Sequence, residues 1–253
     1  METPNLPPLV IFDLDGTLAE SKQPLSAEMA VAFAQLLSVT RAGIISGGAL
    51  SQFLSQVVGT LPADASLPNL SLLPTSGGAL YEYGNGAWRA VYAHEIPEAD
   101  VARIESAMRA AAEETGIIDL ASPAHGERIE FRGAQVSFSA LGQHAPPDEK
   151  RLWDPSKEKR RRLADAMQKL LPAGYVASFG GSTTIDVVAD GIDKAYGITQ
   201  LAQHLGIPER DALFVGDELA EGGNDFPATR TEARCQPVAN PSETLALIRA
   251  LTA

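Results

Sequence analysis

Asp13 and Asp15 stand one residue apart in the stretch Asp13-Leu14-Asp15-Gly16-Thr17, directly after the apolar run 9–12. That run reads as a short buried strand. Side chains alternate along a strand, so the two acids start on the same side. Ligands of parallel sheets gather beyond the C-terminal strand ends, where this pair falls. Two carboxylates at one strand end repel each other. A divalent cation offsets the repulsion, and hard oxygen ligands suit Mg²⁺. A bare Asp-x-Asp is more often a solvated turn. The whole stretch 11–18 is more specific than that.

A second group follows the apolar run 212–215: Gly216-Asp217, then Gly222-Gly223-Asn224-Asp225. It brings further acids to the same sheet edge. Asp217 is placed to complete a Mg²⁺ site, with Asn224 or Asp225 holding a ligand or a metal-bound water behind it. Lys194 opens a helical pattern after Asp190-Gly191-Ile192-Asp193. Among carboxylates a lysine stays charged and can neutralise phosphate oxygens. Ser46 follows the run 42–45 and precedes Gly47-Gly48. A hydroxyl beside free backbone N–H groups near a helix start can hold phosphate. Capping that helix is an equally good reading of the same serine.

The elements needed to position these groups can be read from periodicity. Short apolar runs at 9–12, 42–45 and 70–73 alternate with helical patterns at 26–37 and 50–58, as in βαβ units on a parallel sheet. The pattern then changes. Segments 80–83 and 88–92 flank Gly84-Asn85-Gly86, a hairpin signal. A helix is expected over 97–114, strand pairs at 128–131 with 135–141 and 175–179 with 184–188, and a charged helix over 156–171. Alternation resumes with a helix at 194–205, strands at 212–215 and 234–238, and a closing helix at 242–251. The expected architecture is a split α/β core, residues 1–84 and 189–253, with an α+β insert over 85–188.

Bulk properties narrow the function classes. The chain has 253 residues, enough for such a core and insert. Thirty-two acidic against 20 basic residues give a net charge of −12, which argues against nucleic acid and anionic membranes as partners. One cysteine excludes an internal disulfide or a multi-cysteine zinc site and fits a reducing cytoplasm. The opening METPNLPPLVIFDLDG has no basic n-region and its apolar run is broken by acids, so no secretory signal is expected there. The basic run 157–162 falls on a helical pattern and reads as a solvated face.

Asp13-x-Asp15, Ser46, Lys194 and Asp217 with its glycine-rich follow-on, in that order, resemble the haloacid dehalogenase superfamily of phosphotransferases. The resemblance implies a Rossmann-like core, Asp13 as the nucleophile attacking phosphorus, and Asp15 as general acid/base. It implies Mg²⁺ held by Asp13, Asp217 and the Asp15 carbonyl. An insert between Ser46 and Lys194 resembles the superfamily's α+β (C2) cap class. Within the cap, Glu130-Phe131-Arg132, the stretch 136–139 with Gly142, Gly180-Gly181, Thr184 and Asp186-Val187 resemble eukaryotic-type phosphomannomutases. That implies a phosphosugar substrate, hexose 1- and 6-phosphate interconversion primed by a hexose bisphosphate, and a cap-to-cap homodimer. Arg132, Thr184 and Asp186 would face the sugar phosphate, and Lys22 stands where that family carries an arginine. Gln143 stands where the mutases carry a phosphate-holding arginine, and Lys150 or Arg151 where they carry another. A neutral amide grips phosphate less than a guanidinium fork does, which favours a sugar-phosphate phosphatase as the alternative.

Overall fold

The computed structural model describes residues 6–253, so the first five residues of the Pro-rich lead lie outside the described residues. In chain order the elements are β1 (Leu9–Asp13), α1 (Ala27–Val39), β2 (Arg41–Ile45), α2 (Leu50–Gln56), β3 (Leu70–Leu73), β4 (Ala79–Gly84) and β5 (Ala87–Ala93). They continue with α3 (Glu98–Thr115), β6 (Ile129–Phe131), β7 (Gln135–Ser139), α4 (Pro147–Trp153), α5 (Glu158–Leu170), β8 (Tyr175–Phe179) and β9 (Thr184–Ala189). The last four are α6 (Lys194–Leu205), β10 (Ala212–Gly216), β11 (Arg234–Pro237) and α7 (Pro241–Leu251). No described helix is long and apolar enough to cross a membrane.

The chain divides into two compact units, Met1–Ala93 with Ile192–Ala253, and His94–Gly191. The first is built on a seven-stranded sheet in the order β11-β10-β1-β2-β3-β4-β5. From β11 to β3 the strands are parallel, and β4 and β5 join antiparallel. β1 and β10 are buried at every position, as expected of strands covered on both faces. Val10 and Phe12 turn into one core with Phe33 and Leu36 of α1, Phe53 of α2 and Ile248 of α7. Leu9 and Ile11 turn the other way, onto Ile198 and Leu201 of α6. Alternation therefore sends Asp13 to the face covered by α6.

The Gly84-Asn85-Gly86 hairpin forms as expected, with Asn85 at φ 52° and Gly86 at φ 79°. Two successive positive φ angles match the twist of the flanking strands. Its location differs from the expected insert boundary at residue 85. β4 pairs with β3 through Leu72 and Tyr81, and Leu80 lies in the core with Ile45 and Leu73, so the hairpin extends the core sheet. The units divide after Ala93 and after Gly191, rather than after 84 and 188.

The second unit is a four-stranded antiparallel sheet, β6-β7-β9-β8, backed by α3 and α5. Val136, Phe138, Ile185 and Val187 pack against Ile104 and Met108 of α3 and Leu163 and Met167 of α5. The alternate positions, Ser137, Ser139, Thr184 and Asp186, therefore share the opposite sheet face. Helix α4 was not expected, because its seven residues include only Leu152 and Trp153 as large apolar groups. The basic run 157–162 is also less solvated than its pattern implied. Arg160 is buried, donates to Asp154 and to the Gly181 carbonyl, and lies over the Phe179 ring.

Phe12 and Phe33 meet edge to face at 5.7 Å in the centre of the first core. Phe33→Ala should lower unfolding stability by about 3–5 kcal/mol in urea titration, whereas Val31→Ala, on the exposed side of the same helix, should stay within ~0.5 kcal/mol.

Candidate active site

Three strand ends and one helix start converge on Asp13. It closes β1, and its register partner Ile45 closes β2 just before Ser46. β10, on the other side of β1, ends at Gly216 and delivers Asp217. Asp193 caps α6 by accepting from the Tyr196 N–H, which fixes Lys194 as the first helical residue.

Lys194 Nζ donates to Asp13 Oδ1 and to Asp225 Oδ1, each at 2.5 Å, and all three groups are buried. Asp225 Oδ2 accepts the Glu218 N–H at 3.0 Å, which fastens the glycine-rich loop under the lysine. Asp217, half-buried, accepts from Thr17 Oγ1 at 3.1 Å. Gly16 takes φ 94°, and a Cβ there would stand 2.5 Å from Asp217 Oδ2, so only glycine lets the two loops close.

Burial pushes the Asp13 carboxyl well up, Lys194 pulls it back, and Asp225 and Asp217 add to the rise. Burial alone would depress Lys194, but Asp13 and Asp225 outweigh it and hold the ammonium above the usual lysine range. Burial, then Asp225, pushes Asp217 up to about 6.

The donor set fits a divalent cation. Asp13, Asp217 and Asp225 bring carboxylate oxygens within 4.8 Å of one another, three acids against one lysine. Asp13 Oδ2 and Asn224 Oδ1 are buried without a hydrogen-bond partner. Oxygen ligands and an uncompensated negative charge are what hard cations take. Asp225 is committed to Lys194 and the loop N–H, while Asp217 and Asp13 Oδ2 are less engaged.

Asp15 stands two residues beyond Asp13, half-buried. Its Oδ1 accepts the Lys22 N–H at 2.6 Å, and its Oδ2 accepts from Gln52 Nε2 at 3.1 Å. Lys22 thus touches the acid through its backbone, at φ 57°, while its side chain is exposed. Gln52 carried no signal in the sequence, since a glutamine in a short helix has no distinguishing spacing. Ser46 is buried and accepts the Gly48 N–H at 3.3 Å. Ala49, not Ser46, is the N-cap of α2, so the capping reading of the serine does not hold.

The remaining expected residues lie in the second unit. Arg132 Nε and Nη2 donate to Glu130 Oε2 at 2.9 and 2.7 Å, and Nη2 also donates to Gln143 Oε1 at 3.1 Å. Arg132 and Gln143 are therefore direct partners. Thr184 and Asp186 sit two apart on β9, opposite Ser139 and Ser137. Lys150 is the buried one of the pair Lys150 and Arg151.

A family model for the eukaryotic phosphomannomutases matches residues 100–253. The chain belongs to that family. It is 28% identical over 260 residues to a Schizosaccharomyces pombe phosphomannomutase, covering 95% of this chain and 93% of the relative. Human phosphomannomutase 1 is 24% identical over 224 residues, covering 86% and 81%. Among solved structures, IMP-bound Plasmodium falciparum IMP-nucleotidase superposes with a TM-score of 0.68 at 19% identity, over 96% of this chain and 67% of that one. The C-terminal domain of Candida albicans trehalose-6-phosphate phosphatase gives 0.61 at 17%, over 96% and 92%. These similarities establish the fold, a haloacid dehalogenase-type core with a cap unit.

Site occupancy can be tested without turnover. A carboxylate raised to about 6 favours the fold while protonated, and that contribution is lost as pH rises from the ordinary carboxylate range through 6. A cation binding the ionised site reverses the loss. The rise in melting temperature on adding millimolar Mg²⁺ should therefore be small at pH 5, grow through pH 6 and level off by pH 7.5. It should largely vanish at every pH in Asp217→Asn.

Proposed function

We propose that this protein is a Mg²⁺-dependent phosphoryl-transfer enzyme of the phosphomannomutase type, moving phosphate between O1 and O6 of a hexose through an aspartyl phosphate on Asp13. The observation that carries the proposal is the buried Asp13 carboxylate, pinned through Oδ1 by Lys194 and with Oδ2 clear of any donor. An acid held this way cannot turn aside and presents one oxygen to a ligand.

Asp13 attacks phosphorus, and the bond from phosphorus to the sugar oxygen breaks. Asp15 gives its proton to that leaving oxygen, then takes a proton from the hydroxyl that attacks the aspartyl phosphate and returns Asp13 to a carboxylate. Lys194 balances charge on Asp13 and the transferring group, and Ser46 is placed beside the same strand end to meet a phosphoryl oxygen. Asp13, Asp217 and the Asp15 carbonyl would hold Mg²⁺, with Asn224 and Asp225 behind them, and a cation there would lower the repulsion between carboxylate and phosphate. Arg132, Gln143, Thr184, Asp186 and the Lys22 side chain belong to the sugar-phosphate grip in this reading. A hexose bisphosphate as activator and a cap-to-cap homodimer belong to it as well.

Hydrolysis of a sugar phosphate is the second reading, and Gln143 favours it. The amide brings no charge, and the Arg132 guanidinium from which it accepts is paired with Glu130. A mutase must hold the idle phosphate of a bisphosphate twice per turnover, whereas a phosphatase has no second phosphate to hold.

A ³¹P NMR time course with Mg²⁺ and mannose 1-phosphate separates the two. Signal moving to the 6-phosphate only when catalytic hexose 1,6-bisphosphate is present, with little inorganic phosphate, is the expected result. Inorganic phosphate without any 6-phosphate makes the protein a phosphatase. Asp13→Asn should lose turnover by roughly 10³-fold or more in either case while its circular dichroism stays unchanged; normal turnover in that variant would remove the nucleophile. Gln143→Arg should raise the ratio of 6-phosphate to inorganic phosphate by several-fold, and an unchanged ratio places Gln143 off the phosphate path.

A further inference from the structure

The Asp15 carboxylate is anchored at both oxygens, and only one anchor comes from its own loop. Oδ1 accepts the Lys22 N–H, while Oδ2 accepts the Gln52 amide, which reaches it from α2, 37 residues along the chain. Two donors on the two oxygens fix both side-chain torsions of an aspartate, which one donor cannot do. Gln52 is itself confined. A Cβ at Gly48 would stand 2.5 Å from Gln52 Oε1, so the amide lies against bare backbone of the Ser46-Gly47-Gly48 turn. Ser46 ties that same turn by accepting the Gly48 N–H. The turn, the amide and the acid therefore form one connected unit.

We propose that Gln52 is the positioning residue for proton transfer, holding Asp15 in the orientation in which it reaches the leaving oxygen. The proposal rests on the reading of Asp15 as the group that moves the proton. It adds a residue from α2 whose contribution acts only through Asp15. A glutamine suits this role because it supplies a donor without a fixed charge, and it is long enough to span from helix to loop. The Asp13 side is held by Lys194 and does not touch Gln52, so the nucleophile and the acid are positioned independently.

Independence gives the test its readout. Breaking a bond to a sugar oxygen needs a proton, whereas p-nitrophenolate leaves without one. Gln52→Met keeps the length and removes the donor. It should lower kcat on the hexose phosphate by about 10-fold or more, with KM within about twofold. Single-turnover p-nitrophenolate release from p-nitrophenyl phosphate should fall far less. Gln52→Glu, which replaces the donor with a second acceptor, should show the same contrast, and melting temperatures confirm that both variants are folded. Equal losses on the two substrates, or no loss on either, overturn the assignment of Gln52. Asp15→Asn separates the layers. It must show the contrast more strongly, and if it shows none, the role of Asp15 itself falls and the proposal falls with it.

Discussion

Everything at the site depends on one buried ammonium. Lys194 lies between Asp13 and Asp225 with no water-facing surface to speak of, and each of the three would be costly to bury alone. Two short charge-assisted hydrogen bonds compensate that cost only if all three stay in register. The partners are 181 and 31 residues from the lysine in sequence, so the bonds bind the first strand, the resumed core and the glycine-rich loop into one object. The sheet order β10-β1-β2 makes this possible, because it sets the end of the late strand β10 beside the ends of β1 and β2. Split by a 98-residue insertion, the two core segments still close on each other at this point.

The same interaction leaves a charge imbalance. One lysine faces Asp13, Asp217 and Asp225, and burial together with the surplus of acids raises both Asp13 and Asp217 above the ordinary carboxylate range. A site built to be self-sufficient would pair its third acid. Leaving it half-buried beside an unpartnered Asp13 oxygen creates the electrostatic demand that a divalent cation meets. The glycines follow from this constraint. Any side chain at Gly16 would run into Asp217, and any at Gly216 would run into Asp225. The loops must come in bare for the acids to meet.

These dependencies also explain what the sequence disclosed. That Asp13 and Asp217 would meet was legible because each directly follows an apolar run, so residue type and strand end coincide, whereas Lys194 was marked by the helical pattern it opens. The inner strands β1, β2 and β10 were legible because burial on both faces leaves an unbroken apolar run. Gln52 was not, because its importance comes from one hydrogen bond across 37 residues and nothing local marks it. Arg160 was misread for a related reason. A run of basic residues on an amphipathic helix has a solvated side and an unsolvated side, and Asp154, which also accepts the Lys159 and Arg160 N–H groups, draws this one residue inward. Asn85-Gly86 marks the hairpin, but a boundary placed at 84/85 divides it, giving β4 to the core and β5 to the insert. A turn signal shows that two strands pair with each other, but says nothing about which sheet they join.

In the proposed reading, the cap unit carries the remaining distinction, between exchanging a phosphate and releasing it. Arg132 is held by two acceptors, a carboxylate that offsets its charge and an amide that does not. An arginine at position 143 could not accept from Arg132, and two guanidiniums so close would each need an anion between them. That arrangement binds a phosphate tightly and is strained without one. Gln143 accepts from Arg132 without any ligand present and adds no charge of its own. In the phosphatase reading this pair grips a bisphosphate less firmly than two arginines would. In the mutase reading the grip on the reacting phosphoryl group then rests on the core, where Lys194 and the proposed cation site would supply the charge.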